Sequence, residues 1–229
     1  MRDLDQRLAD FYNKNLTYFC CLKKHEKGFY KNILDAIDKF NLEIKGKKVL
    51  DVGSGTGELL KILREKYGDY WGFGVDISEI GLKMHQYGKP VKADARKLPF
   101  RDKNFDLVFC VDTLEHIPNY EKVIKEIYRI AKPRGYILIR APNYDCPLLS
   151  FPQRPDLTIR KEIIADRDAV SKTTLKDVLS QFRSLKGEIL IYESWGSFNW
   201  KIPFLKILNY LPITNFLGGT CLILFKKER

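Results

Sequence analysis

The sequence predicts an α/β fold with a doubly wound, mostly parallel sheet. Two observations carry that prediction. The stretch Val49-Leu50-Asp51-Val52-Gly53-Ser54-Gly55-Thr56-Gly57-Glu58 is a short apolar run, an acid and three glycines at alternate positions. Leu59, Leu60, Ile62 and Leu63 follow at helical spacing, so the whole reads as strand, tight loop and helix. Beyond it, short apolar runs alternate with amphipathic stretches as far as Arg140, the pattern of a parallel sheet.

The elements follow in chain order. Leu4, Leu8, Phe11, Tyr12, Leu16 and Phe19 give residues 4–24 a helical pattern, and Ile33, Leu34, Ile37 and Phe40 predict a second helix over about 29–40. The first strand ends at Asp51. Glycine lacks Cβ, so the loop after it can turn with φ > 0 and bring bare backbone against a ligand, with the N–H groups of the helix start facing that ligand. The bland alternative is a loop that needs glycine only to turn. Tyr70 to Val75 is a strand ending at Asp76, about twenty residues past the glycines, where doubly wound folds place a carboxylate for ribose hydroxyls. Asp76 could instead cap the next helix, but Ser78 is the better cap, leaving Asp76 free.

Pro90 to Ala93 reads as a brief third strand, followed by Asp94-Ala95-Arg96-Lys97-Leu98-Pro99-Phe100. Asn104 to Val111 has the unbroken apolar run of a strand buried on both faces. Asp112-Thr113-Leu114-Glu115-His116-Ile117-Pro118 follows at its carboxyl end, where open α/β sheets put their ligand sites. A helix over 120–131 leads through a Pro133-Arg134-Gly135 turn into a fifth strand, Tyr136 to Arg140. Ser171 to Phe182 reads as a helix starting near Ser171 or Thr173, and 186–193 and 220–226 as strands.

The glycine spacing chooses the ligand class. A dinucleotide fingerprint wants G-x-G-x-x-G, whereas this loop is G-x-G-x-G with an acid two residues before it. An acid suits a ligand carrying a cation rather than a pyrophosphate. At Asp51-Val52-Gly53-Ser54-Gly55-Thr56-Gly57 the chain resembles the class I S-adenosylmethionine-dependent methyltransferases, whose first motif is (E/D)-x-G-x-G-x-G. The "A-D-A-x-x-L-P-F" wording around Asp94 and the Leu-Glu-His wording after the fourth strand support the resemblance, which covers about residues 46–141.

The resemblance implies a Rossmann-like, seven-stranded sheet whose last two strands form an antiparallel pair at its edge. It implies S-adenosyl-L-methionine as cofactor, held by Asp51, Gly53, Ser54, Gly55, Gly57, Asp76, Ile77, Asp94, Ala95 and Val111. Asp76 takes the ribose role and Asp94 the adenine amino group. Helices before the first strand close over the cofactor in this family, so Tyr12 or Tyr18 could touch it; core packing is the alternative for each. His116 is the candidate general base, an imidazole being suited to that work near pH 7; packing is the alternative. Asp112, Glu115 and His116 form D-x-x-E-H, similar to the E-x-x-E-H metal set of ubiquinone-pathway O-methyltransferases, but the first position is the shorter Asp and no metal is assigned.

Taken whole, residues 1–229 read as one methyltransferase domain: N-terminal helices over 1–45, a cofactor-binding core over 46–141, and insertions at 143–170 and 195–218 forming a substrate cap. The start Met1-Arg2-Asp3-Leu4-Asp5 is charged, not a signal core. No apolar run reaches transmembrane length. The five cysteines, odd in number and without a C-x-x-C pair, fit free thiols in a cytoplasmic protein. The net charge of +11 is spread over Lys23-Lys24 with Lys27 and Lys31, Lys45 to Lys48, and Lys226-Lys227 with Arg229.

The function expected is methyl transfer to a small, apolar acceptor, lipid or quinone-like. Trp195, Phe198, Trp200, Phe204, Leu208 and Leu211 in the second insertion motivate the apolar acceptor, and its lysines allow contact with a membrane surface. The alternatives are an RNA methyltransferase and a cofactor-binding partner subunit without activity of its own. The Asn/Asp-Pro-Pro-Tyr/Phe motif of amino-base methylators is missing after the fourth strand, which counts against RNA. The oligomeric state is open.

Overall fold

The computed structural model describes residue 10, residues 29–142, 171, 174–195 and 220–229. Most of the predicted helix over 4–24, Tyr12, Tyr18 and both insertions apart from Trp195 lie outside the described residues, so those expectations stand as they were. Within them the chain runs α1 (Lys31–Lys39), β1 (Lys48–Val52), α2 (Glu58–Tyr67), β2 (Trp71–Asp76), α3 (Glu79–Lys83), β3 (Lys89–Lys92), β4 (Phe105–Val111), a 3₁₀ turn (Leu114–His116), α4 (Glu121–Ile130), β5 (Ala131–Pro142), α5 (Leu175–Arg183), β6 (Gly187–Trp195) and β7 (Thr220–Lys227).

The seven strands form one sheet in the order β3-β2-β1-β4-β5-β7-β6. The first five are mutually parallel, and β7 runs antiparallel to both β5 and β6. The chain moves outward from β1 to β3, then returns to place β4 on the other side of β1. That reversal opens a crevice at the carboxyl ends of β1 and β4, the usual ligand position in doubly wound sheets.

Alternation along the strands fills both faces. Leu50, Val52, Val108, Cys110, Ile137 and Ile139 turn to one face, under Val123, Ile124 and Ile127 of α4 and Val178 and Phe182 of α5. Val49, Leu107, Phe109 and Leu138 turn to the other, under Ile33 and Ile37 of α1 and Leu59, Leu60 and Leu63 of α2. Strands buried on both faces need no polar alternation, which is why β4 reads as continuous apolar sequence.

Two local expectations change. The turn at Pro133–Gly135 does not separate helix from strand: α4 passes directly into β5, and residues 132–135 bulge out between the paired positions Ala131 and Tyr136. Arg134 takes φ 63° there, and a side chain at Gly135 would crowd the Lys132 and Asp106 carbonyls. α5 begins at Leu175 rather than Ser171, because the Thr174 hydroxyl accepts from the Asp177 N–H and caps it. Ser171 instead donates to the Ile117 carbonyl at 2.8 Å. Cys110 and Cys221, the cysteines among the described residues, are buried free thiols.

One buried ion pair fastens the N-terminal helix to the sheet. Arg140 of β5 is 3% exposed. Its guanidinium donates to both carboxylate oxygens of Asp112, at 3.2 and 2.5 Å. It also donates to the Phe29 carbonyl and to Asn32 Oδ1, and lies 4.1 Å over the Phe29 ring. Removing one member of such a pair strands the other charge. Arg140→Met should therefore lower unfolding free energy by about 3 kcal/mol in a denaturant titration, and adding Asp112→Asn should recover part of the loss. A single-variant loss within ~0.5 kcal/mol would show that the pair does not hold α1 to the sheet.

Candidate active site

The site begins where β1 runs out. Gly53, Gly55 and Gly57 all adopt positive φ, at 77°, 50° and 75°. At Gly53 the requirement is also steric, since an added Cβ would stand 2.2 Å from Thr113 Oγ1. The loop is fastened to the end of β2: Gly53 N–H and Ser54 N–H both donate to the Val75 carbonyl, at 2.8 and 3.0 Å. Gly55 N–H donates to Asp76 Oδ2 at 2.8 Å, and Gly57, the residue before α2, donates back to the Ser54 carbonyl.

Two carboxylates stand at adjacent strand ends beneath this loop. Asp51, on β1, is 4% exposed. Burial, then repulsion from Asp76, pushes its pKa up to about 8. No positively charged side chain among the described residues offsets this. Asp76, on β2, is raised mainly by burial, against which the Ser78, Gly55 and Ile77 N–H groups act. Ser78 is the cap of α3, as its position suggested, yet Asp76 is not left free: its Oδ1 accepts from Ser78 N–H and its Oδ2 from Gly55 N–H, each at 2.8 Å. With Ile77 N–H as a third donor, the carboxylate still has lone-pair capacity for a ligand hydroxyl.

The remaining predicted positions fall around the same crevice. Ile77 follows Asp76, Val111 ends β4, and Ala95 is buried beyond β3. Asp94 already has a partner in the structure, Arg96. Burial raises its pKa, but Arg96 outweighs burial and leaves it lowered. The Arg96 guanidinium holds both Asp94 oxygens, the shortest contact being 2.7 Å, and Arg96 N–H donates to Oδ1. A ligand amino group would have to share that carboxylate with Arg96.

At the mouth of β4, His116 closes the 3₁₀ turn with its Nε2 3.8 Å from Glu115 Oε1. Asp112, first member of D-x-x-E-H, is turned away from that pair in its chemistry: its carboxylate is taken by Arg140. Among the described residues no His/Cys/Asp/Glu group has metal-site geometry.

Three site residues escaped the sequence reading. Thr113 is buried, donates from Oγ1 to the Val52 or Val111 carbonyl, and occupies the space that Gly53 leaves. Arg140 neutralises Asp112 from the neighbouring strand. Tyr30, just before α1, is partly buried against the sheet face that carries α1 and α2, and its phenol pKa is raised by burial and then by Asp51. An arginine at the end of an otherwise apolar strand was the available signal for the second; nothing in the sequence marked Tyr30 above other tyrosines.

A buried acid with no cation, a second acid with lone pairs to spare and a left-handed glycine loop suit a ligand that is cationic at one end and hydroxylated at the other. Comparison with known proteins agrees. Residues 50–139 match the family model described as a methyltransferase domain. The chain is 33% identical over 113 residues to sterol methyltransferase-like 3 of Botryococcus braunii, covering 44% of this chain and 29% of that protein. It is 37% identical over 108 residues to the chloroplastic tocopherol O-methyltransferase of Arabidopsis thaliana, covering 42% and 30%. These matches span less than a third of each relative's length. In fold the chain is similar to one solved in complex with the Haloferax volcanii Trm112 methyltransferase activator, with TM-score 0.67, 18% identity, and 99% of this chain and 98% of that one covered.

The protonation of Asp51 has a measurable sign. A carboxyl group whose pKa is raised on folding contributes stability that is full below about 3.8 and is lost as pH rises through about 8. The ligand-free protein should accordingly lose thermal stability between pH 5 and pH 8, and Asp51→Asn should flatten that slope. Binding of S-adenosylmethionine at pH 6.5 should release up to about one proton, read by calorimetry in buffers of different ionisation enthalpy. Equal proton release from Asp51→Asn would take the effect away from Asp51.

Proposed function

We propose, on the premise that the core carries the fold of the class I S-adenosylmethionine-dependent methyltransferases, that this protein transfers a methyl group from S-adenosylmethionine to a small apolar acceptor. The observation that carries the reading is Asp51, a buried carboxylate with no cation of its own beside a glycine loop. When bound, the cofactor supplies a methyl group activated on sulfonium. Asp51 and the loop from Gly53 to Gly57 would hold its cationic end, with Asp76 at the ribose hydroxyls. Ile77, Asp94, Ala95 and Val111 would line the adenosine. The chain's own work is then alignment, water exclusion and, for an acceptor that must lose a proton, a base. His116 is that base in this reading, poised at the carboxyl end of β4.

The apolar acceptor rests on the sterol and tocopherol enzymes among the relatives and on the aromatic and aliphatic composition of residues 195–218. No described helix is long and apolar enough to cross a membrane, so contact with a lipid surface would be peripheral. A cytoplasmic location belongs to the same proposal. The basic patches do not favour RNA. Lys31 pairs with Asp35 and Lys47 with Glu43. Lys48 donates to Asn104 beside the Phe73 and Phe105 rings. Lys227 donates to the Tyr128 and Ala131 carbonyls.

A second reading, that turnover needs a bound activator protein, is favoured by the whole-chain likeness to a chain solved with such an activator. Trp71, 71% exposed at the start of β2, is a docking candidate for it.

Purified protein with methyl-labelled cofactor, offered lipid and quinone extracts or cellular RNA, separates the acceptor classes: label should enter the lipid fraction. Label in RNA alone would overturn the apolar-acceptor reading. Label in neither fraction until an accessory protein is added would favour the activator reading. Asp76→Ala should weaken cofactor binding by about 1.5–3 kcal/mol, the worth of hydrogen bonds to a charged group. His116→Ala should lower turnover about 10²-fold with cofactor affinity held; wild-type turnover would leave His116 a packing role.

A further inference from the structure

Behind the glycine loop, on the side of the sheet carrying α2, Ser54 lies near His85, a residue to which the proposed function gives no role. His85 follows α3, and its backbone neighbour is strapped to the loop: Gln86 N–H donates to the Thr56 carbonyl at 2.9 Å, and Gln86 Nε2 to Glu58 Oε2 at 2.6 Å. The imidazole lies against two glycines. A Cβ at Gly57 would stand 2.7 Å from His85 Nε2, and a Cβ at Gly74 of β2 would stand 2.2 Å from that same nitrogen and 2.6 Å from Ser54 Oγ. The two glycines thus leave the space in which the imidazole and the Ser54 hydroxyl meet.

The Ser54 hydroxyl oxygen and both ring nitrogens of His85 are buried there. Among the described residues neither ring nitrogen of His85 nor the Ser54 hydroxyl has a hydrogen-bond partner. Desolvated polar atoms are rarely left so, and these two are complementary: a hydroxyl donates or accepts as needed, and a neutral imidazole offers one of each. We propose that His85 is a positioning residue for the glycine loop, with the Ser54 hydroxyl donating to Nε2 of the neutral imidazole when the loop closes on its ligand. The inference rests on the cofactor reading above.

The neutral form is the one the surroundings favour. Burial lowers the His85 pKa from 6.5. The carboxylates on the elements around it are Glu58 and Glu65 of α2, Glu79 of α3, Asp51 of β1 and Asp76 of β2; none of them offsets that burial. Protonation would turn Nε2 into a second donor facing the hydroxyl and remove the acceptor the loop uses. Ser54 is then the link by which α3 and its trailing segment set the loop, since its N–H is already fixed to the Val75 carbonyl.

The test uses S-adenosylmethionine titrations of the full chain from pH 5.5 to 8, with ring nitrogen spectra of His85. Ser54→Ala and His85→Gln should each weaken binding about 3–10-fold at pH 7.5, and the double variant no more than either single one. The wild-type advantage over His85→Gln should vanish on acidification. Taking that ratio cancels the contribution of Asp51, which both proteins share. The His85 Nε2 resonance should move in Ser54→Ala, a variant that removes one hydroxyl and spares the fold. Additive losses, a pH-independent ratio or an unmoved Nε2 resonance would overturn the proposal. If the wild type binds no S-adenosylmethionine at any pH, the cofactor reading falls, and the Nε2 response to Ser54→Ala alone decides the hydrogen bond.

Discussion

The glycine loop has its shape because β2 ends where it does. Two loop N–H groups converge on one carbonyl, Val75, and a third on the carboxylate of Asp76. Three donors leave the turn in one direction only if the backbone between them is left-handed, which the glycines allow. The same bonds explain why Asp76 has two functions in the structure. It shapes the loop through Gly55 and orients the start of α3 through Ser78, so its worth to a ligand cannot be separated from its worth to the fold by deleting it. An Asp76 variant that loses cofactor affinity reports both.

Asp51 and Asp112 make the electrostatic logic plain. Both stand near the carboxyl ends of adjacent strands, β1 and β4. Asp112 is answered by Arg140, at a left-handed backbone position with φ 46°. Asp51 has no such answer and is pushed toward its protonated form. An arginine beside Asp51 would have stabilised the empty protein and competed with a cationic ligand. The chain thus places its guanidinium two strands over, on β5, where it ties Phe29 and Asn32 to the sheet, and leaves the acid under the loop without a cation.

What was legible in the sequence was local. The order strand, loop and helix around Gly53 can be read from neighbours within ten residues, although the loop's shape is held by Val75 and Asp76 of β2; the Asp76 strand end and the Ser78 cap are short-range too. The burial of Asp51 could be guessed from its place in an apolar run. What was not legible depends on partners far along the chain. Arg140 and Asp112 are 28 residues apart, and the Thr113 contact with Val52 spans 61. The bulge in β5 was hidden for a different reason: Pro-Arg-Gly reads as a turn, and only pairing with β4 turns it into an excursion inside one strand. The Arg96 contact with Asp94 was not legible either, because no motif encodes an arginine folding back over the acid two residues before it.

The net charge of +11 carries less functional meaning than its size suggests. Lysine has a long apolar stem, and Lys48 and Lys227 use it. Lys48 runs past Phe73 and Phe105 to reach Asn104, and Lys227 crosses Tyr128 to two carbonyls. Burial lowers the pKa of Lys227 as a result. Such residues close the rim of the sheet and shield its aromatic edge, work that a shorter polar residue could not do. A count of basic residues therefore overstates the field available to a polyanion, and the groups nearest the site are two carboxyls beneath the loop: Asp76, and Asp51, which gives up its proton as a cation arrives. A site that is locally acidic within a globally basic chain favours a cationic ligand over a phosphate backbone, because at contact distance the near charges outweigh the screened distant ones.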